Sequence, residues 1–208
     1  MSSRKEIHDR VLNATGKQEL MDAYKEWADK YDADLIDEMG YVAPVIAGKL
    51  LLRYIKNPGI KILDAGCGTG LVGAFLSENG CTDITGLDYS QDMLEQAKGK
   101  DVYQSLVQGD LTQTLDIERN AYDAVISVGT FTSGHVGPQA LGELVRITKP
   151  GGLICFTVRE AAWIEDDYRN EIARMKKGKA WTALEEKTSD YIQKEGSTCK
   201  VCLYQVAG

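Results

Sequence analysis

The sequence predicts a doubly wound α/β fold built on a mostly parallel sheet, and three observations predict it. From residue 60 onward, short apolar runs alternate with helical segments. The runs are continuous rather than alternating, which suits strands buried on both faces under covering helices. The first run ends in a glycine cluster, Gly66, Gly68 and Gly70, that closes a strand and opens a helix.

The elements follow in order. Residues 4–15 suit a short helix. Over 19–30 the spacing of Leu20, Tyr24, Trp27 and Tyr31 gives a helix with one apolar, aromatic face. A further helix runs over 43–55, with Pro44 near its start, where proline is tolerated. Asn57-Pro58-Gly59 ends it as a turn. Strands are expected over 60–65, 83–87, 103–108, 124–128 and 153–158. Helices over 71–79, 91–98 and 138–148 fall between them. A long amphipathic segment occupies 162–177. Two last strands, near 188–192 and 200–206, are joined by the polar turn Glu195-Gly196-Ser197, which suggests an antiparallel pair. At 208 residues one domain is expected. Its N-terminal helical cover spans about 1–56 and its core about 60–208.

Charge narrows the partners. The net charge is −7, which disfavours nucleic acid, because neutralising phosphates needs a basic face. Arg174, Lys176, Lys177 and Lys179 read as the cationic end of a helix. No apolar run approaches the roughly 18 residues that cross a bilayer. The polar start, MSSRKEIHDR, is no secretory signal, so a cytoplasmic location is expected, with a nuclear one also open. Five cysteines in a chain of this length read as reduced thiols. Cys199 and Cys202 form a lone C-x-x-C in an expected strand, on opposite faces. No second cluster joins them, so no metal site is expected.

The chemistry gathers at strand ends. Asp64-Ala65-Gly66-Cys67-Gly68-Thr69-Gly70 offers bare main chain for a ligand to lie against, with Asp64 placed to receive an ammonium. Asp88 ends the second strand, 20 residues beyond Gly68, where a carboxylate accepts ribose hydroxyls. Ser90 caps the next helix, with Met93 one turn in. Gly109-Asp110-Leu111 ends the third strand, where a polar group and an apolar side chain suit an adenine. Gly68-Thr-Gly70-Leu-Val-Gly73 also fits the dinucleotide pattern G-x-G-x-x-G. The fit is out of register, because Asp64-Ala65-Gly66 intervenes after the strand. A pyrophosphate at the helix N-terminus would also face Asp64.

With the glycine motif, Asp88, Gly109-Asp110 and Lys149-Pro150-Gly151-Gly152, the chain resembles the class I S-adenosylmethionine-dependent methyltransferases over about residues 20–160. More narrowly, Tyr24-Lys-Glu-Trp27-Ala28-Asp29-Lys30-Tyr31-Asp32 and Val128-Gly129-Thr130-Phe131-Thr132-Ser133-Gly134-His135-Val136 resemble the methyltransferase-like group that includes the Williams–Beuren-region protein. The tail around Trp181 is similar as well. The resemblance implies a Rossmann-like sheet of seven strands with the last antiparallel. It implies S-adenosyl-L-methionine as donor and S-adenosyl-L-homocysteine as product. Asp64, Ala65, Gly66 and Gly68 would surround the methionine part, and Asp88 would hold the ribose. Tyr89 and Met93 would lie by the adenosine. Gly109, Asp110 and Leu111 would hold the adenine, and Ser127 would lie beside the donor. Tyr24, Trp27 and Tyr31 would close over the ligand.

Methyl transfer needs alignment and water exclusion more than acid–base chemistry. His135 follows the fourth strand, and its pKa range suits a general base if the acceptor must lose a proton. After Ile126 the chain reads Ser127-Val128-Gly129-Thr130, without the Asn/Asp-Pro-Pro-aromatic signature of many amino-directed enzymes. The acceptor, expected to be a small molecule, would approach near the N-terminal helices, the 129–137 loop, Arg159 and Trp163. Arg159 is either a partner for an anionic acceptor or half of a surface ion pair. Two alternatives remain in the sequence: a donor-binding protein without catalysis, and a nicotinamide-dependent dehydrogenase.

Overall fold

The computed structural model describes residues 4–14, 16–132 and 136–208. Its N-terminal part is helical: α1 (Arg4–Asn13) and α2 (Lys17–Trp27) lead into a 3-10 turn over Ala28–Lys30. A single turn, α3 (Tyr31–Ala33), follows, and then a π-helix over Asp34–Met39. The helical path therefore runs past residue 30, to Gly40 in the left-handed conformation, where the sequence pattern had suggested a stop. Next comes α4 (Ala43–Leu52), with Pro44 in its first turn.

The core then alternates strand and helix. Its elements are β1 (Ile62–Ala65), α5 (Leu71–Glu78), β2 (Ile84–Asp88), α6 (Gln91–Lys98), β3 (Ser105–Gln108), β4 (Tyr122–Phe131), α7 (Ala140–Ile147) and β5 (Thr148–Arg159). The expected 162–177 helix is two pieces, α8 (Glu160–Glu165) and α9 (Tyr168–Lys177). They part at Asp167, whose φ of 63° is left-handed. No glycine or proline marks that break in the sequence. β6 (Trp181–Ile192) and β7 (Ser197–Val206) complete a seven-stranded sheet of order β3-β2-β1-β4-β5-β7-β6. Six strands run one way and β7 runs against its neighbours on both sides. β6 begins seven residues before the expected position 188. As the edge strand it is largely exposed, so Thr182–Lys187 carries little apolar signal.

Successive strand residues face opposite sides of the sheet and divide the core in two. On one face Ile62, Ile84, Ala124, Ile126 and Cys199 pack with Trp27, Leu35, Leu50 and Leu51 of the N-terminal helices and with Val72 and Leu76 of α5. On the other, Leu63, Val125, Phe156 and Cys202 pack with Leu141, Leu144, Tyr168 and Ile172 of α7 and α9. The two cysteines of C-x-x-C therefore lie in different layers, and all five thiols are free and buried. The cationic tail of α9 is a paired surface: Arg174 bonds Glu171, and Lys176 bonds Glu186.

Strand order places the site. After β1 the chain builds β2 and β3 on one flank, and then crosses to build β4 and β5 on the other. The crevice beyond the carboxyl ends of β1 and β4 is the switch point where such sheets take ligands. No helix among the described residues is long and apolar enough to cross a membrane.

Candidate functional site

A groove of about 880 Å³, counting space open to solvent at its mouth, lies over that switch point. Its floor is the loop after β1. Gly66 has φ 77°, and a Cβ there would sit 2.2 Å from Thr130 Oγ1, so the position accepts only glycine. The loop is stitched to both neighbouring strands. The Gly66 and Cys67 amides donate to the Leu87 carbonyl. From the β4 side, Ser127 Oγ (2.7 Å) and Thr130 Oγ1 (3.3 Å) donate to the Ala65 carbonyl.

Asp88 ends β2 at the rim of the groove. One carboxylate oxygen accepts from the Gly68 amide and the other from the Ser90 amide, each at 2.8 Å. Each oxygen retains capacity for another donor, so two adjacent hydroxyls can be held at once. Burial pushes the carboxyl up, and the Ser90, Gly68 and Tyr89 amides pull it back. Ser90 caps α6, its Oγ accepting from the Met93 amide at 3.3 Å.

Asp64 is fully buried beneath the glycine loop. The Tyr103 hydroxyl donates to its Oδ2 at 2.7 Å, while Oδ1 has no partner among the described residues. Burial pushes its pKa from 3.8 to about 7. The Asp88 charge adds to the rise, and the Tyr103 hydroxyl and Gly73 amide oppose it. Tyr103 reaches Asp64 only because Gly73 is bare: a Cβ there would lie 2.3 Å from the phenol. Gly73, the last glycine of the G-x-G-x-x-G pattern, thus makes room for a tyrosine ring.

The helical cover supplies the roof. Tyr24, Tyr31, Leu20, Met21 and Tyr41 line the groove. Asp32 ties the cover to the floor, accepting from Thr69 Oγ1 at 2.5 Å and pairing with Lys100.

Of the residues singled out in the sequence, Tyr24, Tyr31, Gly66, Gly68, Asp88, Tyr89, Met93, Gly109 and Leu111 line the groove together. Asp64, Ala65 and Ser127 lie under its floor, fully buried. The Asp110 carboxylate turns back to accept from Thr112 N (2.9 Å) and Oγ1 (2.7 Å) beside the groove. Trp27 faces an adjoining cavity, and its indole donates to Asp34 at 2.8 Å. His135 lies outside the described residues. Sequence reasoning missed Tyr103, Thr130, Asp32 and Tyr41. The one available signal was the tyrosine opening the third strand run, directly across from glycines 70 and 73.

The residues present suit a nucleoside with an amino-acid tail. The orphaned, buried Asp64 Oδ1 suits an ammonium group. The two-sided Asp88 suits a diol, and Met93, Leu87 and Leu111 offer an apolar slot.

Residues 63–156 match the family described as Methyltransferase domain. In three dimensions the chain is similar to a TehB-like SAM-dependent methyltransferase from Corynebacterium glutamicum. The TM-score is 0.66 at 22% identity, over 89% of this chain and 99% of that one, a likeness of fold. Over residues 63–156 the chain is thus similar to the class I S-adenosylmethionine-dependent methyltransferases. It is 39% identical over 160 residues to Methyltransferase-like protein 27 of Homo sapiens, covering 74% of this chain and 64% of that protein. It is 32% identical over 137 residues to a Malonyl-[acyl-carrier protein] O-methyltransferase of Pectobacterium atrosepticum, covering 66% of this chain and 49% of that protein. The chain thus spans about half to just under two thirds of the length of these curated relatives.

Proposed function

We propose that this chain transfers a methyl group from S-adenosyl-L-methionine to a small-molecule acceptor. The observation that carries the reading is the Asp88 carboxylate, pinned by two backbone amides at the end of β2 over a glycine floor. Asp88 would hold the ribose hydroxyls, and Tyr89 and Met93 would flank the adenosine. Gly109, Asp110 and Leu111 would border the adenine. Gly66 and Gly68 would underlie the methionine part, with Asp64 balancing its ammonium charge. Ala65 and Ser127 hold the floor in shape. Tyr24 and Tyr31 cover the groove, and Trp27 packs behind them.

When bound, the donor supplies an already activated methyl group on a sulfonium. The protein's part is to align an acceptor against it and exclude water. The aromatic roof serves the second purpose, and the adjoining cavity behind Trp27 serves the first. The acidic chain and the acyl acceptor named for the bacterial relative both favour a non-nucleic-acid acceptor. The Asp64 carboxylate beneath the glycine loop disfavours a dinucleotide, whose pyrophosphate it would repel.

The test is transfer of labelled methyl from S-adenosyl-L-methionine into a metabolite extract, with Asp88→Ala as control. The reading expects label in a discrete extract species with the wild type, and a large drop with the variant. Tight binding of S-adenosyl-L-homocysteine without transfer to any species would leave a donor-binding protein instead of an enzyme.

A further inference from the structure

We propose that the acceptor has an apolar body and carries a carboxylate that anchors on Arg159. This rests on the methyltransferase reading above and gives its acceptor a chemical class. Beside the groove lies a second, much smaller cavity walled by Trp27, Tyr31, Leu35, Tyr41 and Tyr191. Tyr24, Tyr31, Tyr41 and Gly129 line both spaces, so any passage between them runs along these residues. At that passage the Tyr41 hydroxyl comes within 2.6 Å of where a Gly129 Cβ would stand, so the backbone of β4 is part of the wall.

Two basic side chains line this aromatic space, His8 and Arg159, and they differ. His8 faces Glu195 at 3.4 Å. Arg159 is half-buried and has no carboxylate within ion-pair distance among the described residues. Its guanidinium lies 6.0 Å from the centre of the Tyr191 ring. Glu160, the next residue, is engaged with Thr198 and Lys200, and Glu195, also near Tyr191, faces His8. A guanidinium withdrawn from water without a counter-charge is costly, and a planar carboxylate satisfies it through two parallel hydrogen bonds. The same charge disfavours an ammonium acceptor, which the aromatic walls alone would welcome.

Arg159 lines the second cavity and not the groove. The carboxylate is therefore the anchor, and a different atom of the acceptor is methylated. At the passage, the lone pair of an acceptor hydroxyl, amine or thiol forms the bond to the methyl carbon. The carbon–sulfur bond breaks as this happens, and its electron pair returns to sulfur. The acceptor's proton leaves to solvent.

The probes are phenylacetate, its neutral isostere phenylacetamide, and 2-phenylethylamine, each titrated by NMR into protein saturated with S-adenosyl-L-homocysteine. Phenylacetate is expected to bind in the millimolar range. The amide should bind on the order of tenfold more weakly, and the amine more weakly still. Arg159→Gln should bring phenylacetate down to the level of the amide, and Arg159→Lys should recover part of the preference. Equal binding of acid and amide, no binding of the acid, or a preference that survives Arg159→Gln overturns the proposal. Each protein is first titrated with S-adenosyl-L-homocysteine, which also verifies that the variants are folded. If the product binds and the carboxylate preference is missing, only this inference falls. If the wild type does not bind the product, the methyltransferase reading falls and takes this inference with it.

Discussion

Replacing Asp64 by Asn should spare the ligand-free protein a loss of stability between mildly acid and neutral pH while weakening its hold on the donor. The carboxyl is fully buried, one of its oxygens is unpartnered, and its pKa rises from 3.8 to about 7. Between those values the folded chain keeps a proton that the unfolded chain has released, so stability falls as pH rises. At about 1.4 kcal/mol per pH unit, the ionised form costs roughly 4 kcal/mol across the whole window, and about 3 kcal/mol of that lies above pH 5. Asparagine does not titrate, keeps the shape, and still accepts from the Tyr103 hydroxyl. Urea unfolding of the ligand-free proteins at about pH 5 and about pH 8 measures the difference. The variant should gain on the wild type by up to about 3 kcal/mol between the two conditions. Its affinity for S-adenosyl-L-homocysteine should fall, because a neutral amide cannot balance an ammonium. Parallel pH–stability curves for the two proteins would refute the reasoning.

Other consequences are as direct. Gly73→Ala drives a methyl into the Tyr103 phenol, and should cost about 1–3 kcal/mol in urea unfolding; a wild-type midpoint would show the ring is not packed there. Ser90→Ala removes the cap on α6 and should lower stability by about 1 kcal/mol, read as a shifted thermal midpoint, with no change if the Met93 amide finds another acceptor. Cys199 and Cys202 should form no intramolecular disulfide under mild oxidant, and the native thiols should alkylate slowly until the chain unfolds. A mass shift of a 199–202 disulfide in the native protein would contradict their placement in separate core layers.

β1, β2, β4 and the second half of β5 were legible because they are largely buried on both faces, so their runs are mainly apolar. Asp64 and Asp88 were legible as carboxylates at the ends of two of those strands, and Gly109 as the glycine directly after the third. Tyr103, Thr130 and Asp32 were not. Each acts on a partner 37 to 65 residues away, through packing that no local pattern encodes. The first half of β6 escaped because an edge strand needs no apolar run. The break between α8 and α9 escaped because Asp167 holds a left-handed conformation without the glycine that usually announces one. Among the aromatics of the cover, helical spacing gave the shared face but not its division. Tyr24 and Tyr31 meet the groove, while Trp27 turns to the cavity behind it.

The central claim is that the groove at the β1–β4 switch point is built for S-adenosyl-L-methionine, with Asp88 on its ribose. Calorimetric titration with S-adenosyl-L-homocysteine and with NAD, on the wild type and Asp88→Ala, tests it most directly. The account predicts that the wild type binds S-adenosyl-L-homocysteine and not NAD, and that Asp88→Ala weakens the former by about 1–3 kcal/mol. Binding of NAD in preference, or an unchanged affinity in a folded Asp88→Ala protein, would contradict it.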